Sequence, residues 1–221
     1  MVLNNNTCSD RPPSTLLLCS GGIDSIFLAY QYRMSIHALM FFDYGQPSAK
    51  QEAEAVAYFG ELLGLPVVTV WLPLQSTALT GSDACVVPER NLIMCAYALH
   101  YATVNKLTKV YYGAIKEDHE QYVDCRPQWV NRLSALRKSP APRNTKNNHQ
   151  LTVEAELIAP IINMTKSNII VDAMEYGIPI DRTWSCYNPT DGAQCGVCAS
   201  CTLLQDAIKE AALRGLYRDC P

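Results

Sequence analysis

Two groups of residues carry spacing that chemistry could use. The first is Ser20-Gly21-Gly22-Ile23-Asp24-Ser25, which follows Leu16-Leu17-Leu18-Cys19. Two hydroxyls and one carboxylate flank two glycines, where the backbone can turn sharply without a Cβ. Free N–H groups at a helix start just beyond such a turn form an anion site, and a phosphate chain is the natural anion. An ordinary strand-to-helix turn also uses Gly and Ser; the convergence of two Gly, two Ser and one Asp within six residues favours the phosphate reading. No Gly-Lys-Ser/Thr follows, so this is not a Walker A loop. The second group is Cys186, Cys195, Cys198 and Cys201. A C-x-x-C-x-x-C run brings three thiolates to one point, and Cys186 can supply a fourth. Four sulfurs suit tetrahedral zinc with no open position, hence a structural ion. A cysteine-ligated [4Fe–4S] cluster is the rival.

The elements that must position these groups alternate at an α/β pace. Apolar runs at Thr15–Cys19, Ile36–Phe42, Val67–Leu72, Val110–Ala114 and Glu156–Ile162 read as strands. Helices are expected over Asp24–Arg33, Ser48–Leu63, Leu92–Asn105, Gln128–Arg137 and Thr165–Glu175, with a last one from Cys201 to about Leu213. Met1–Ser14, Pro73–Asp83 and Ser139–Gln150 read as tail and loops, and Lys116–Gln121 as a polar stretch. The pattern predicts a parallel sheet with helices on both faces, plus a small C-terminal zinc-binding knob. The boundary is expected between an α/β unit over residues 1–182 and a four-cysteine segment with a C-terminal helix over 183–221. Ligands of such sheets bind beyond the carboxyl ends of the strands. That edge should hold Ser20–Ser25, Asp43–Gln46, Ala114–Asp118 and Asp124–Arg126.

Composition narrows the class. The 221 residues are 48% hydrophobic, enough for a substantial core, and the net charge of −3 opposes sequence-independent nucleic-acid binding. No apolar run reaches membrane-helix length and the first residues are polar, so a cytoplasmic protein without membrane contact is expected. Ten cysteines in such a chain point to metal or catalysis rather than disulfides.

Ser20-Gly21-Gly22-Ile23-Asp24-Ser25 resembles the SGGxDS pyrophosphate loop of ATP-pyrophosphatases, which cleave ATP between its α and β phosphates to adenylate a substrate. With Asp43-Tyr44-Gly45-Gln46, Val87-Pro88-Glu89-Arg90-Asn91, Asp124-Cys125-Arg126-Pro127 and Thr183-Trp184-Ser185-Cys186-Tyr187, the chain resembles one branch, the 7-cyano-7-deazaguanine synthases, from Leu16 to about Ile208. The resemblance implies ATP, Mg²⁺ and Zn²⁺ as cofactors. It implies adenylation of the carboxylate of 7-carboxy-7-deazaguanine and transfer to ammonia, giving the amide and then, with a second ATP, the nitrile of queuosine biosynthesis.

The residues suit those roles. Ser20, Gly21, Gly22, Ile23 and Ser25 would hold the leaving pyrophosphate. Asp24, expected on a solvent-facing loop, would hold magnesium, so that Asp24→Ala should spare the fold. Arg90 would neutralise growing phosphate charge; otherwise it is a surface charge at a helix end. Asp124 and Arg126, with Asp118 as a second carboxylate, would bind the deazaguanine; Asp124 could equally be a helix cap. Cys125 reads as packing rather than as a nucleophile. Trp184 and Tyr187 stack a base or pack around the metal.

Three departures from the branch stand out. Pro47-Ser48 replaces Arg-His after Gln46, Glu89 replaces a Gly, and no Arg follows the last metal cysteine near Thr202–Leu204. Loss of two bulky polar side chains at the site edge is expected to loosen it and to favour the amide or a protein conjugate over the nitrile. Diverged relatives beside antiviral defence genes join the activated deazaguanine to a protein amine, which is the second reading. A tRNA-thiolating enzyme with an iron–sulfur cluster is the third, and a zinc-knuckle nucleic-acid binder the fourth. A homodimer is the expected assembly.

Overall fold

A computed structural model describes residues 13–74, 87–137 and 155–214. The expected tail before Pro13, the loop Ser139–Gln150 and all but the first two residues of the loop Pro73–Asp83 lie outside that range.

Five strands form one parallel sheet: β1 (Thr15–Leu18), β2 (Ile36–Asp43), β3 (Val67–Trp71), β4 (Lys109–Tyr111) and β5 (Glu156–Ile158), in the spatial order β3-β2-β1-β4-β5. The helices are α1 (Ile23–Gln31), α2 (Ala49–Leu63), α3 (Arg90–Val104), α4 (Asp118–Gln121), α5 (Pro127–Arg137), α6 (Lys166–Glu175) and α7 (Ala199–Leu213). The strand order reverses between β1 and β4, which opens the crevice where ligands of such sheets bind.

Alternation along the strands divides the core. Leu17, Leu39, Phe41 and Tyr111 point to one face, where Phe27 of α1, Phe59 of α2, Ile169 and Ile170 of α6 and Ala207 and Ala211 of α7 cover them. Leu16, Ala38, Met40, Phe42, Val110 and Leu157 point to the other face, under Cys95, Ala98, Leu99 and Ala102 of α3 and Val130 of α5. Helices therefore lie on both faces, as the alternation predicts.

Caps behave as their chemistry requires. Gly64 ends α2 at φ 66°, in the left-handed conformation a Cβ disfavours. The Thr165 hydroxyl accepts from the Asn168 N–H at 3.3 Å and starts α6. Two elements differ from expectation. The polar stretch Lys116–Gln121 contains the short helix α4, and β5 stops at Ile158, two residues before Pro160, which has no N–H to give a ladder. Beyond Thr183, among the described residues, Leu204, Ala207 and Ala211 of α7 join the cluster containing Ile169.

Candidate active site

A cavity of about 510 Å³ opens at the carboxyl end of the sheet. β1 delivers the chain to it, and the turn that follows is glycine by necessity. Gly21 has φ +78°, and a Cβ there would lie 2.9 Å from both the Glu52 carbonyl oxygen and the Ala55 Cβ. Gly22 is extended and caps α1, so the first amides of α1 face the cavity. Ser20 Oγ accepts from the Gly22 N–H at 3.4 Å. Ser25 is buried, and its hydroxyl donates to the Gly22 carbonyl at 2.9 Å. In this arrangement Ser25 shapes the loop.

Asp24 is not on a solvent-facing loop. It is the second residue of α1, and Lys166 at the start of α6 donates to both of its oxygens, at 2.7 and 2.6 Å. The lysine side chain is 8% exposed. With both oxygens engaged, Asp24 is the partner of a buried cation rather than an open magnesium ligand, and its removal would leave that cation unpaired. Lys166 itself carries the one positive charge that α6 brings to the cavity wall. Sequence reading passed over it because nothing local distinguishes it; a Thr-Lys pair opening a helix after the last strand was the available signal. Glu117 supports it, taking the Lys166 N–H at 2.7 Å.

Asp118 lies beside this pair on the cavity wall. Burial pushes its carboxyl above the usual range, and the nearby Asp24 charge adds to that. Its Oδ2 accepts from the Ile115 N–H at 3.3 Å.

Arg90 opens α3, donates from Nη1 to the Tyr44 hydroxyl at 3.0 Å and lies 5.6 Å from the Tyr44 ring centroid. It lines the cavity and so is not a surface charge. Residue 89, just before it, has φ 56°, a left-handed position that suits glycine and here carries glutamate. Glu52 also lines the cavity. Its carboxylate takes Gln46 Nε2 at 2.8 Å and Ser48 Oγ at 2.6 Å, while burial raises its pKa. Pro47 and Ser48 do not line the cavity: Pro47 is exposed and Ser48 is buried behind Glu52. Of the two, Ser48 touches the cavity lining through its hydrogen bond to Glu52.

Asp124, Cys125, Tyr112 and Trp129 also line the cavity. The Tyr112 hydroxyl and Cys125 Sγ are 3.3 Å apart, and burial pushes the Cys125 thiol up to about 12. A thiol held protonated at neutral pH is no nucleophile. Asp124 faces the cavity from a helical turn over Val123–Cys125, not from a helix cap. Arg126 points elsewhere: it is exposed, it does not line the cavity, and its Nε donates to the His119 carbonyl at 2.7 Å.

The sulfurs of Cys186, Cys195, Cys198 and Cys201 all lie within 4.8 Å of one another. Bonds of about 2.3 Å to one tetrahedral ion would separate sulfurs by roughly 3.8 Å, so the cluster fits a single ion. The Cys195 N–H points at Cys186 Sγ (3.2 Å) and the Cys198 N–H at Cys195 Sγ (3.3 Å), as thiolate ligands require. The same segment forms part of the cavity. The Trp184 N–H donates to the Gly21 carbonyl at 2.9 Å, its indole N–H to the Cys186 carbonyl at 2.9 Å, and Trp184, Tyr187 and Ser200 line the wall.

A reversing parallel sheet, a Gly-Gly anion loop opening a helix and a cluster of four cysteines against that loop together define an α/β enzyme of the pyrophosphate-loop class. The family model described as "Queuosine biosynthesis protein QueC" matches residues 14–212, and the chain belongs to that family. It is 31% identical to the 7-cyano-7-deazaguanine synthase of Brucella anthropi, over 93% of this chain and 94% of that protein. The corresponding enzymes of Brucella ovis and Brucella abortus are also 31% identical, over 90% of each chain.

Proposed function

We propose that the chain is an AMP-forming ligase. It adenylates the carboxylate of 7-carboxy-7-deazaguanine, transfers it to ammonia and converts the amide to 7-cyano-7-deazaguanine with a second ATP. The observation that carries this is one cavity lined by two unlike sets of groups, the α1 amides with Lys166, and Asp124 with Tyr112 and Trp129. A triphosphate suits the first set and a planar amino-heterocycle the second.

The first step joins a carboxylate oxygen to the α phosphorus and releases pyrophosphate. Gly21, Gly22 and Ile23 offer backbone N–H groups to the leaving phosphates, and Lys166 and Arg90, both in the cavity lining, balance growing charge. Mg²⁺ would enter with the nucleotide and offset triphosphate charge. Asp124 suits the amino and ring N–H groups of the base, and Trp129 its face. Zn²⁺, held by Cys186, Cys195, Cys198 and Cys201, would be structural, since four thiolates leave no position for substrate. Four sulfurs converging on one ion favour zinc over an iron–sulfur cube and so speak against the tRNA-thiolating reading.

Incubation with ATP, Mg²⁺ and 7-carboxy-7-deazaguanine, with and without ammonium, tests the reading. Mass spectrometry should show the nitrile accumulating at two AMP per product. Failure to release pyrophosphate when the deazaguanine is added would refute it.

A further inference from the structure

Any amine that displaces AMP must shed a proton, and the cavity has to provide somewhere for it to go. We propose that Asp118 is the base that takes this proton. The inference rests on the ligase reading above and adds a catalytic role to it.

Five described carboxylates line the cavity, and four are committed or remote. Both Asp24 oxygens are held by Lys166. Glu52 takes a donor on each oxygen, from Gln46 and Ser48. Glu89 caps α3, and Asp124 lies beside Cys125. Asp118 neighbours both sets of groups: Asp24, Lys166 and Glu117 face it on the one hand, and Cys125 and Tyr187 on the other. The labile bond of an adenylate lies at that junction, because the adenylate joins the two halves of the site. Among the described residues, only the 3.3 Å N–H of Ile115 donates to the Asp118 side chain, so its second oxygen keeps its basicity. Burial and Asp24 raise its proton affinity, which brings a carboxyl closer to working pH.

Protons and electrons balance at each stage. The lone pair of ammonia attacks the carbonyl carbon, the C–N bond forms, and the C–O bond to AMP breaks with its electron pair leaving on AMP. The nitrogen then carries one proton too many, and Asp118 accepts it. In the nitrile stage the amide oxygen attacks the α phosphorus of a second ATP and pyrophosphate leaves. As the C–O bond breaks and the C≡N bond forms, the nitrogen loses both protons, one after the other. The same carboxylate takes each and passes it to solvent.

The test is Asp118→Asn in the full-length, metal-loaded protein. At saturating deazaguanine, amide formation from ammonium should fall on the order of a hundredfold or more beyond any loss of ATP–pyrophosphate exchange. Hydroxylamine, whose adduct nitrogen is far more acidic than that of ammonia and sheds its proton to water, should still give the hydroxamate. At constant free ammonia, the wild-type amide rate should fall as pH drops through a pKa above the ordinary carboxylate range, because the protonated carboxyl cannot accept. The variant should lack that limb, and Asp118→Glu should recover part of the rate. Exchange that falls as far as amide formation would move Asp118 into adenylation and overturn the proposal, as would unchanged amide formation or equal loss of the hydroxamate. A variant that does not fold leaves the wild-type pH limb and Asp118→Glu to decide; no limb, or no retained activity in Asp118→Glu, overturns it. No exchange in the wild type would remove the ligase reading and this proposal with it.

Discussion

Lys166 and Asp24, 142 residues apart in the chain, form a two-pronged ion pair in the cavity lining, with Nζ 2.7 and 2.6 Å from the two carboxylate oxygens. The pair joins the first turn of α6 to the first turn of α1, two helices that pack against one another. Stability and chemistry are therefore coupled at Asp24.

Asp24→Ala should destabilise the protein by about 3 kcal/mol, since removing one partner of a buried pair strands the other. The double change Asp24→Ala with Lys166→Met should recover most of that stability, because no charge is then left unpaired. Neither protein should release pyrophosphate at the wild-type rate. Urea unfolding alongside a pyrophosphate assay reads both quantities; a single variant as stable as wild type would dissociate the pair from the fold.

Glu89→Gly should stabilise the chain by up to about 1 kcal/mol. A left-handed residue with a Cβ costs roughly 1–2 kcal/mol, of which glycine returns part through its greater unfolded-state entropy. Thermal unfolding of the two proteins decides. A lowered midpoint would mean that the glutamate side chain makes a compensating interaction.

About one zinc per chain is expected from metal analysis, with no visible colour. Cys198→Ser should lose metal and thermal stability together, because structural zinc contributes folding free energy directly. Since Trp184 bonds to Gly21 and lines the cavity two residues before Cys186, metal loss should also weaken ATP binding measured by calorimetry. Full ATP affinity in metal-free, folded protein would break that link. Iron with sulfide absorbance would reinstate the cluster.

Cys125→Ala should leave pyrophosphate release within a few-fold of wild type. The thiol, pushed up to about 12 by burial, is protonated at pH 7, and neither step of the proposed reaction needs it. Its burial against Tyr112 predicts a stability loss of about 1–2 kcal/mol instead. Iodoacetamide labelling at neutral pH should spare Cys125 in the folded protein, and complete inactivation of the alanine variant without loss of stability would restore it as a catalytic group.

What the chain states locally, sequence reading recovers. The Gly-Gly turn is legible because a sharp turn before a helix demands Gly21, whose φ of +78° no Cβ tolerates against Glu52 and Ala55. The cysteine cluster is legible because C-x-x-C-x-x-C brings three thiols together at the start of α7. The strands and helices are legible because period-2 and period-3.6 patterns are set residue by residue. Sheet order and long-range pairing are not local quantities. Placing β4 beside β1 is what brings α6 and Lys166 onto Asp24, lifts Asp118 toward the phosphate loop and turns Arg126 out to the His119 carbonyl. Pro47 and Ser48 stand next in sequence to a cavity motif, yet the turn into α2 leaves one exposed and buries the other behind Glu52. Which charges meet, and which carboxylate keeps a free oxygen, was decided only when separate segments packed together. Their interaction energies depend on distance and burial rather than on order in the chain.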